Sequence, residues 1–146
     1  MGLFNFDFGA KRVGLFDEGN QKIIMTTMDS IADSVVGILN NPVATENKLI
    51  RIHDFFIDNL EVVKTVEELT GVKYETYQVS TDDQIALAKS MPATDAAVGI
   101  HALALFWGKA RAAEWELPDD SEVVGLKKKD LKEETAKALR TIKAIA

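Results

Sequence analysis

The chain has no cysteine, only three prolines, and fewer basic residues than acidic ones. Without cysteine it forms no disulfide, no thiolate metal site and no cysteine nucleophile, which agrees with a reducing compartment. The 17 lysines and arginines against 23 acidic residues give a net charge of −6. Because nucleic-acid binding needs a basic surface that displaces counterions, we expect no nucleic-acid partner. No apolar run approaches the length of a membrane span, so we also expect no membrane partner and a cytoplasmic location.

Length and hydrophobic pattern predict one domain over residues 1–146 and an α+β fold. We expect a small mixed sheet with a β-hairpin, covered by about five helices. The hairpin is predicted from residues 12–16 and 22–26, two β-rich runs that flank the turn sequence "DEGN". A further strand is predicted in "LIRIHDFF" and another in "KYETYQV".

Helix boundaries are marked by capping residues. Thr26 or Thr27 can cap the first helix, and Asp58 with Glu61 forms a capping box before the second, which Gly71 ends. We further predict a helix after Ser80, a long helix over residues 94–113, and a C-terminal amphipathic helix. The apolar stripe of the first helix consists of Ile31, Val35, Ile38 and Leu39.

An aromatic face is predicted near the start of the chain, where "LFNFDF" alternates with period two. Phe4, Phe6 and Phe8 share one face of this extended segment, and Asn5 and Asp7 share the other. Three phenyl rings need burial, either in the chain's own core or against a partner or ligand. We therefore count the three phenylalanines as candidate substrate-binding residues.

Two histidines are the candidates for acid/base chemistry, because imidazole titrates near neutral pH. His53 and its neighbour Asp54 lie at the carboxyl end of a predicted strand, where ligands collect in α/β-type sheets. His101 lies in the middle of the long helix. Structural roles are open for both histidines: a partly exposed loop residue for His53 and a core residue for His101.

Four other aromatic residues are candidates for lining a ligand pocket. Trp107 and Trp115 lie around the end of the alanine-rich helix, where core packing explains Trp107 and a pocket rim or interface suits Trp115. Tyr74 and Tyr77 point to opposite faces of their strand, so at most one of them lines a given cavity. Two histidines far apart, without cysteines, give no metal-ligand spacing.

The order of these elements resembles a known family. "DEGNQKIIMTTMDSIADSVVGILNNP", "NKLIRIHDFF", "NLEVVKTVEELTGVKYETYQVSTDDQ" and the tail "SEVVGLKKKDLKEETAKAL" resemble the C-terminal half of NmrA-like, isoflavone-reductase-like proteins, most closely their fungal members. These are atypical short-chain dehydrogenases. The resemblance implies a truncated NmrA-like fold whose matched part is the substrate-binding half, with a pocket for a hydrophobic molecule.

The family's NADPH chemistry has no visible counterpart in the chain. Its members bind the cofactor through a glycine-rich loop after their first strand, and the nine glycines here form no such spacing. The dehydrogenase Tyr-x-x-x-Lys pair is also absent, since Gln78 follows Tyr74 by four residues and Thr81 follows Tyr77. We therefore expect no cofactor and no micromolar NADPH binding by this chain alone.

Three functions are compatible with this pattern. The first is a cofactor-independent cyclase or isomerase acting on a hydrophobic intermediate of fungal secondary metabolism, through positioning and one acid/base group. The second is a non-catalytic small-molecule-binding or regulatory module, and the third is a subunit that assembles with a full-length relative. Because the chain keeps apolar surfaces that the remainder of a relative would cover, we also expect a homodimer.

Overall fold

The computed structural model describes residues 5–108 and 118–145. Within these residues the fold is α+β, with six helices and five short strands in two small sheets. The elements in chain order are β1 Phe6–Asp7, β2 Arg12–Phe16, β3 Ile23–Met25, α1 Met28–Asn40, α2 Pro42–Thr45, β4 Phe55–Ile57, α3 Asn59–Thr70, β5 Glu75–Val79, α4 Thr81–Ser90, α5 Asp95–Trp107 and α6 Leu131–Thr141.

The larger sheet is mixed, as the sequence predicted, and has the strand order β1-β2-β5. β1 runs antiparallel to β2, with Phe6 opposite Val13. β5 runs parallel to β2, with Val13 opposite Thr76. The second sheet joins β3 and β4, which pair antiparallel so that Ile23 faces Ile57.

The hairpin predicted around "DEGN" is wrong. β2 has no free edge for β3, because β1 and β5 already occupy its two sides. Asp17 instead donates its backbone N–H to the carbonyl of Val79, and Gly19, at a φ of 73°, donates to the carbonyl of Phe16. This turn sends the chain away from the larger sheet, so that β3 pairs with β4, 30 or more residues later in the sequence.

Local capping signals are confirmed. The hydroxyl of Thr27 accepts the N–H of Ser30 at the start of α1, and Asp58 with Glu61 completes the capping box of α3. Gly71 ends α3 in the left-handed region with a φ of 67°. The extent of the strand predicted in "LIRIHDFF" is wrong, because only its last two residues, Phe55 and Phe56, belong to β4, which continues to Ile57. The helix predicted over residues 94–113 ends earlier than expected, at Trp107, because Gly108 is its C-cap with extended backbone. Residues 109–113 lie outside the described residues.

α1 is oriented against its amphipathic pattern. The residues that it buries are Ser30, Ser34 and Gly37, whereas Val35 is 52% exposed and Leu39 is 75% exposed. Two contacts require this orientation. The Ser30 hydroxyl donates to the buried carboxylate of Asp54, and the Cα of Gly37 packs against the backbone of Val124. Three of the four residues of the predicted apolar stripe, Ile31, Val35 and Leu39, are therefore exposed, and Ile38 is partly buried.

The core lies between the larger sheet, α3, α5 and α6. It also buries Phe6, which is 2% exposed, so this ring is covered by its own chain and needs no partner. The most buried apolar side chains are Phe6, Val13, Phe16, Ile23, Val62, Val66, Ala104, Trp107 and Leu139.

Gly37 offers a direct test of the close approach between α1 and the 121–125 turn. A Cβ atom at Gly37 would lie 2.0 Å from the carbonyl oxygen of Val124, so Gly37→Ala has to displace backbone. We expect a loss of about 1–3 kcal/mol in the free energy of unfolding, measured by urea titration with circular dichroism.

Gly99→Ala in α5 is the matched control, because no atom of the described residues lies within 4 Å of the position that a Cβ would take there. At this site the substitution should raise helix stability by up to about 1 kcal/mol. Equal effects of the two substitutions would contradict the described packing of α1.

Candidate functional site

An apolar cavity of about 330 Å³ lies between the edge of β1, the β3–β4 sheet, α3 and α6. A volume of this size accommodates a small organic molecule. The polar side chains around it belong to threonines, Glu134 and Lys137. Its apolar lining consists of Phe6, Phe8, Met25, Phe55, Ile57, Val62, Val66, Leu131, Ala138 and Leu139.

Two of the predicted substrate-binding residues form one wall of this cavity. The rings of Phe6 and Phe8 stack with their centroids 5.4 Å apart. Tyr74 contacts both edge-on, at 5.3 Å from Phe6 and 6.0 Å from Phe8. Tyr74 does not line the cavity itself, but its buried ring fixes the two phenyl rings that do.

The charged side chains of the cavity are a pair on α6. Glu134 and Lys137, three residues apart on one helix face, form an ion pair with 2.6 Å between Nζ and Oε1. The hydrogen bond to Glu134 is the main reason that the pKa of Lys137 is raised above its usual value. The Glu134 side chain is only 17% exposed, so a carboxylate lies beside the apolar walls. Neither residue was a candidate from the sequence, because a spacing of three residues indicates a pair on a helix surface but not that the helix borders a cavity.

Asp54 supports the cavity wall without lining it. Its carboxylate accepts the N–H of Thr27 at 2.7 Å and the hydroxyl of Ser30 at 2.8 Å. Its own N–H donates to the carbonyl of Met25 at 2.8 Å. Both carboxylate oxygens are thus engaged at the start of α1, which is the arrangement of a residue that positions a helix.

His53 belongs to a separate polar cluster that joins the 51–54 segment to the 118–130 loop. Its Nδ1 lies 3.6 Å from Oδ1 of Asp119, and its carbonyl oxygen accepts from the amine of Lys128. Lys128 also pairs with Asp119, and the hydroxyl and N–H of Ser121 donate to the same carboxylate.

The carboxyl group of Asp119 feels opposing influences in this cluster. Burial, the largest single influence, raises its pKa, but hydrogen bonds from Lys128 and Ser121 and the charge of His53 together lower it below the ordinary value. The cluster therefore acts as an electrostatic link between two loops.

His101 lies in a third place, a shallow apolar groove between α4 and α5 that Met91, Val98 and Leu105 also line. The three residues predicted to be catalytic are therefore not brought together, and none of them lines the cavity. A catalytic role for His53, Asp54 or His101 stays a prediction.

The remaining aromatic candidates also lie away from the cavity. Trp107 is 3% exposed and belongs to the core. Tyr77 is 41% exposed, and the guanidinium of Arg12 lies over its ring at 5.0 Å from the centroid. Phe4 and Trp115 lie outside the described residues.

Among the described residues, a parallel strand leads directly into a helix at the connection from β5 to α4, and a dinucleotide does not fit there. β5 leads directly into α4, but the first turn of α4 carries Asp82 and Asp83. These carboxylates occupy the helix end where a pyrophosphate would bind, and they would repel it. Asp17 adds a third carboxylate there, accepting from the N–H and hydroxyl of Thr81.

Metal sites and membrane-spanning helices were also sought among the described residues. Residues 5–108 and 118–145 contain no group of three or more acidic or histidine side chains placed to ligate a metal. In the same ranges, no helix combines the length and apolar character that crossing a membrane requires.

Sequence comparison finds oxidoreductases as relatives, whereas no protein-family model matches the chain. Oxidoreductase poxI of Penicillium oxalicum is 28% identical over 147 residues, covering 94% of this chain and 46% of the relative. Pinoresinol reductase 1 of Arabidopsis thaliana is 31% identical over 83 residues, covering 56% of this chain and 26% of the relative. The chain thus spans about half the length, or less, of the curated relatives it matches.

Comparison with solved structures identifies the fold. AtPrR2 with NADP+ and (+)pinoresinol matches 86% of this chain and 41% of its own, with a TM-score of 0.72 and 22% identity. A nucleoside-diphosphate-sugar epimerase from Staphylococcus aureus matches 88% of this chain and 44% of its own, with a TM-score of 0.66 and 17% identity. The resemblance inferred from sequence is confirmed: the chain has the NmrA-like, isoflavone-reductase-like fold over less than half of its neighbours' length.

The lowered pKa of Asp119 predicts acid sensitivity of the link between the two loops. A depressed carboxyl pKa contributes stability that is present above the ordinary value of 3.8 and is lost as the pH falls through the lower native value. We expect Asp119→Asn to lower the free energy of unfolding at pH 7 and to flatten its dependence on pH below about pH 4.

Urea titrations at several pH values measure this difference. Lys128→Met is the matched partner variant, and combining it with Asp119→Asn should add little further loss, because both remove the same contact. Fully additive losses would contradict the link.

Proposed function

We propose that this chain, which shares its fold with the structure of AtPrR2 with NADP+ and (+)pinoresinol, binds an apolar small molecule in the cavity between β1, β3–β4, α3 and α6. The observation that supports this proposal is the cavity itself, about 330 Å³ with ten apolar side chains around it. A ligand bound there removes apolar surface from water, which favours binding by about 25 cal/mol per Å² of apolar surface buried.

Polar groups at the cavity would orient such a ligand. Thr135 lines it together with the ion pair of Glu134 and Lys137. A hydroxyl, a carboxylate and an amine on one helix can hydrogen-bond to hydroxyl or carbonyl groups at one end of a ligand, while the aromatic wall contacts the rest. We therefore infer an apolar ligand with oxygen substituents at one end, as in many biosynthetic intermediates.

The relatives support a small organic ligand. The AtPrR2 structure contains NADP+ and (+)pinoresinol, and the fungal relative is an oxidoreductase. Asp82 and Asp83 disfavour a pyrophosphate at the start of α4. The proposal for this chain is therefore ligand binding without hydride transfer.

A second function, cofactor-independent cyclisation or isomerisation, is favoured by Glu134. It is the only carboxylate among the described residues that line the cavity, and its mostly buried side chain is paired with Lys137. In this proposal Glu134 accepts a proton from the bound intermediate and returns it at another atom, so that no redox equivalent is needed. Lys137 fixes the position of the carboxylate through the ion pair.

Partly filling the cavity should weaken ligand binding. In Ala138→Phe, a phenyl ring on α6 would occupy part of the space that the ligand needs. We expect the Kd for an environment-sensitive apolar dye, measured by fluorescence titration, to rise at least tenfold, which is about 1.4 kcal/mol.

Ala86→Phe, at an exposed position of α4, is the matched control and should bind as the unchanged chain does. Equal affinities of the two variants would place the dye elsewhere and contradict the proposed site.

Glu134→Gln separates binding from catalysis. The substitution keeps the size of the side chain but removes the proton acceptor, so the enzyme proposal predicts roughly a hundredfold loss of turnover with little change in ligand Kd. Conversion of candidate polycyclic substrates, followed by mass spectrometry beside a dye-competition assay, measures both quantities. If the unchanged chain binds these substrates without converting them, the proposal of an enzyme is refuted and the proposal of ligand binding remains.

A further inference from the structure

The outer face of α1 is an uninterrupted apolar stripe. Six positions with spacings of three and four residues face away from the core, and all six are exposed. Exposure reaches 78% at Met28, 75% at Leu39 and 57% at Val36. The stripe consists of Met28, Ile31, Ala32, Val35, Val36 and Leu39.

α1 cannot bury this stripe by rotating about its axis. Rotation would break the hydrogen bond from Ser30 to Asp54 and would leave that buried carboxylate with an unused oxygen. It would also drive a larger side chain into the space beside Val124, where even a Cβ at Gly37 does not fit. The stripe therefore needs cover from outside the fold described.

We propose that a second copy of this chain covers the stripe, with the two α1 helices antiparallel about a twofold axis. The six positions are symmetric about the point between residues 33 and 34, so the twofold operation maps the stripe onto itself. Ala32 then lies against Val35 of the second copy near the axis, where a small residue permits close approach. Met28 lies against Leu39 at the two ends.

The size of the stripe suits a protein partner. Its large exposed side chains form a patch on the order of several hundred Å², which monomers rarely leave in water. A standard interface buries about 800 Å² per partner, so this stripe would supply most of a modest one.

Charge argues against a membrane surface as the cover. The residues that border the stripe include Asp29 and Asp33, and α1 has no lysine or arginine. Helices that lie on anionic membranes carry basic residues on their polar face. Two acidic residues at one border can stay hydrated in a protein dimer.

The proposed interface lies next to the cavity. α1 begins at Met28, directly after Thr26 and Thr27, which line the cavity. The inference does not depend on the ligand, because it rests on the orientation of α1 alone.

Light scattering over a range of micromolar concentrations tests the assembly. We expect the mass to approach twice 16.1 kDa, and the double variant Val36→Glu, Leu39→Glu to return it to the monomer value. Both side chains are exposed within one chain, so the variant should stay folded. Leu87→Glu, at a 46% exposed position of α4, is the control and should remain dimeric. A monomer at all concentrations, or a dimer that survives the double variant, would overturn the proposal.

The absence of cysteine permits a test of the geometry. In the antiparallel pair, position 28 lies near position 39 of the second copy, whereas the two copies of position 28 lie about 16 Å apart along the axis. A mixture of two single variants, one carrying Met28→Cys and the other Leu39→Cys, should therefore cross-link with a short bismaleimide. Either variant alone should cross-link at least tenfold less. Equal cross-linking of the single variants would refute the antiparallel arrangement.

Discussion

The carboxylate of Asp54 is the contact on which the arrangement of the site depends. It is buried between β4 and the start of α1, where it accepts one hydrogen bond from backbone and one from the Ser30 hydroxyl. Because a buried carboxylate needs such partners, the helix has to present Ser30 inward. Together with the close approach of Gly37 to the backbone of Val124, this requirement fixes the rotation of α1 and the direction of its apolar stripe. The backbone bond from Asp54 to Met25 ties the same corner to the β3–β4 sheet.

The cavity adjoins the same corner, where Thr26 and Thr27 line it. Its walls come from segments far apart in sequence: the aromatic residues of the β1 region, the β3–β4 sheet, α3 and α6. Tyr74 fixes Phe6 and Phe8 on one side, and the α6 pair of Glu134 and Lys137 supplies charge on the other. An apolar space with polar groups on one side is what a ligand-binding role requires, and it is the feature on which the proposed function rests.

Sequence reasoning predicted what is decided locally. The caps at Thr27 and Asp58 and the stop at Gly71 depend on a few neighbouring residues, and the structure contains all three. The family resemblance predicted the fold and an apolar pocket, and the aromatic alternation identified Phe6 and Phe8 among its lining residues. These features need no knowledge of distant contacts.

What sequence reasoning missed is decided by tertiary contacts. β2 had the pattern of a hairpin strand, but β5 takes the edge that β3 would need. The amphipathic pattern of α1 predicted the helix correctly but not the face that it buries. The hydrogen bond from Ser30 to Asp54 and the close approach of Gly37 to Val124 decide that face instead. Glu134 and Lys137 were not predicted as site residues for a similar reason. No local sequence pattern shows that α6 lies across a cavity formed by β1, β3 and β4.

Hydrogen–deuterium exchange at the backbone N–H of Thr27 tests the role of Asp54 most directly. This amide precedes α1 and has no partner within the helix, so its protection reports the 2.7 Å contact with the Asp54 carboxylate. The account predicts slow exchange in the unchanged chain. It also predicts fast exchange of Thr27 and of the first turn of α1 in Asp54→Ala, while the amide of Glu61, capped by Asp58, stays protected. Exchange of Thr27 at the rate of an unfolded chain, before any substitution, would contradict the account.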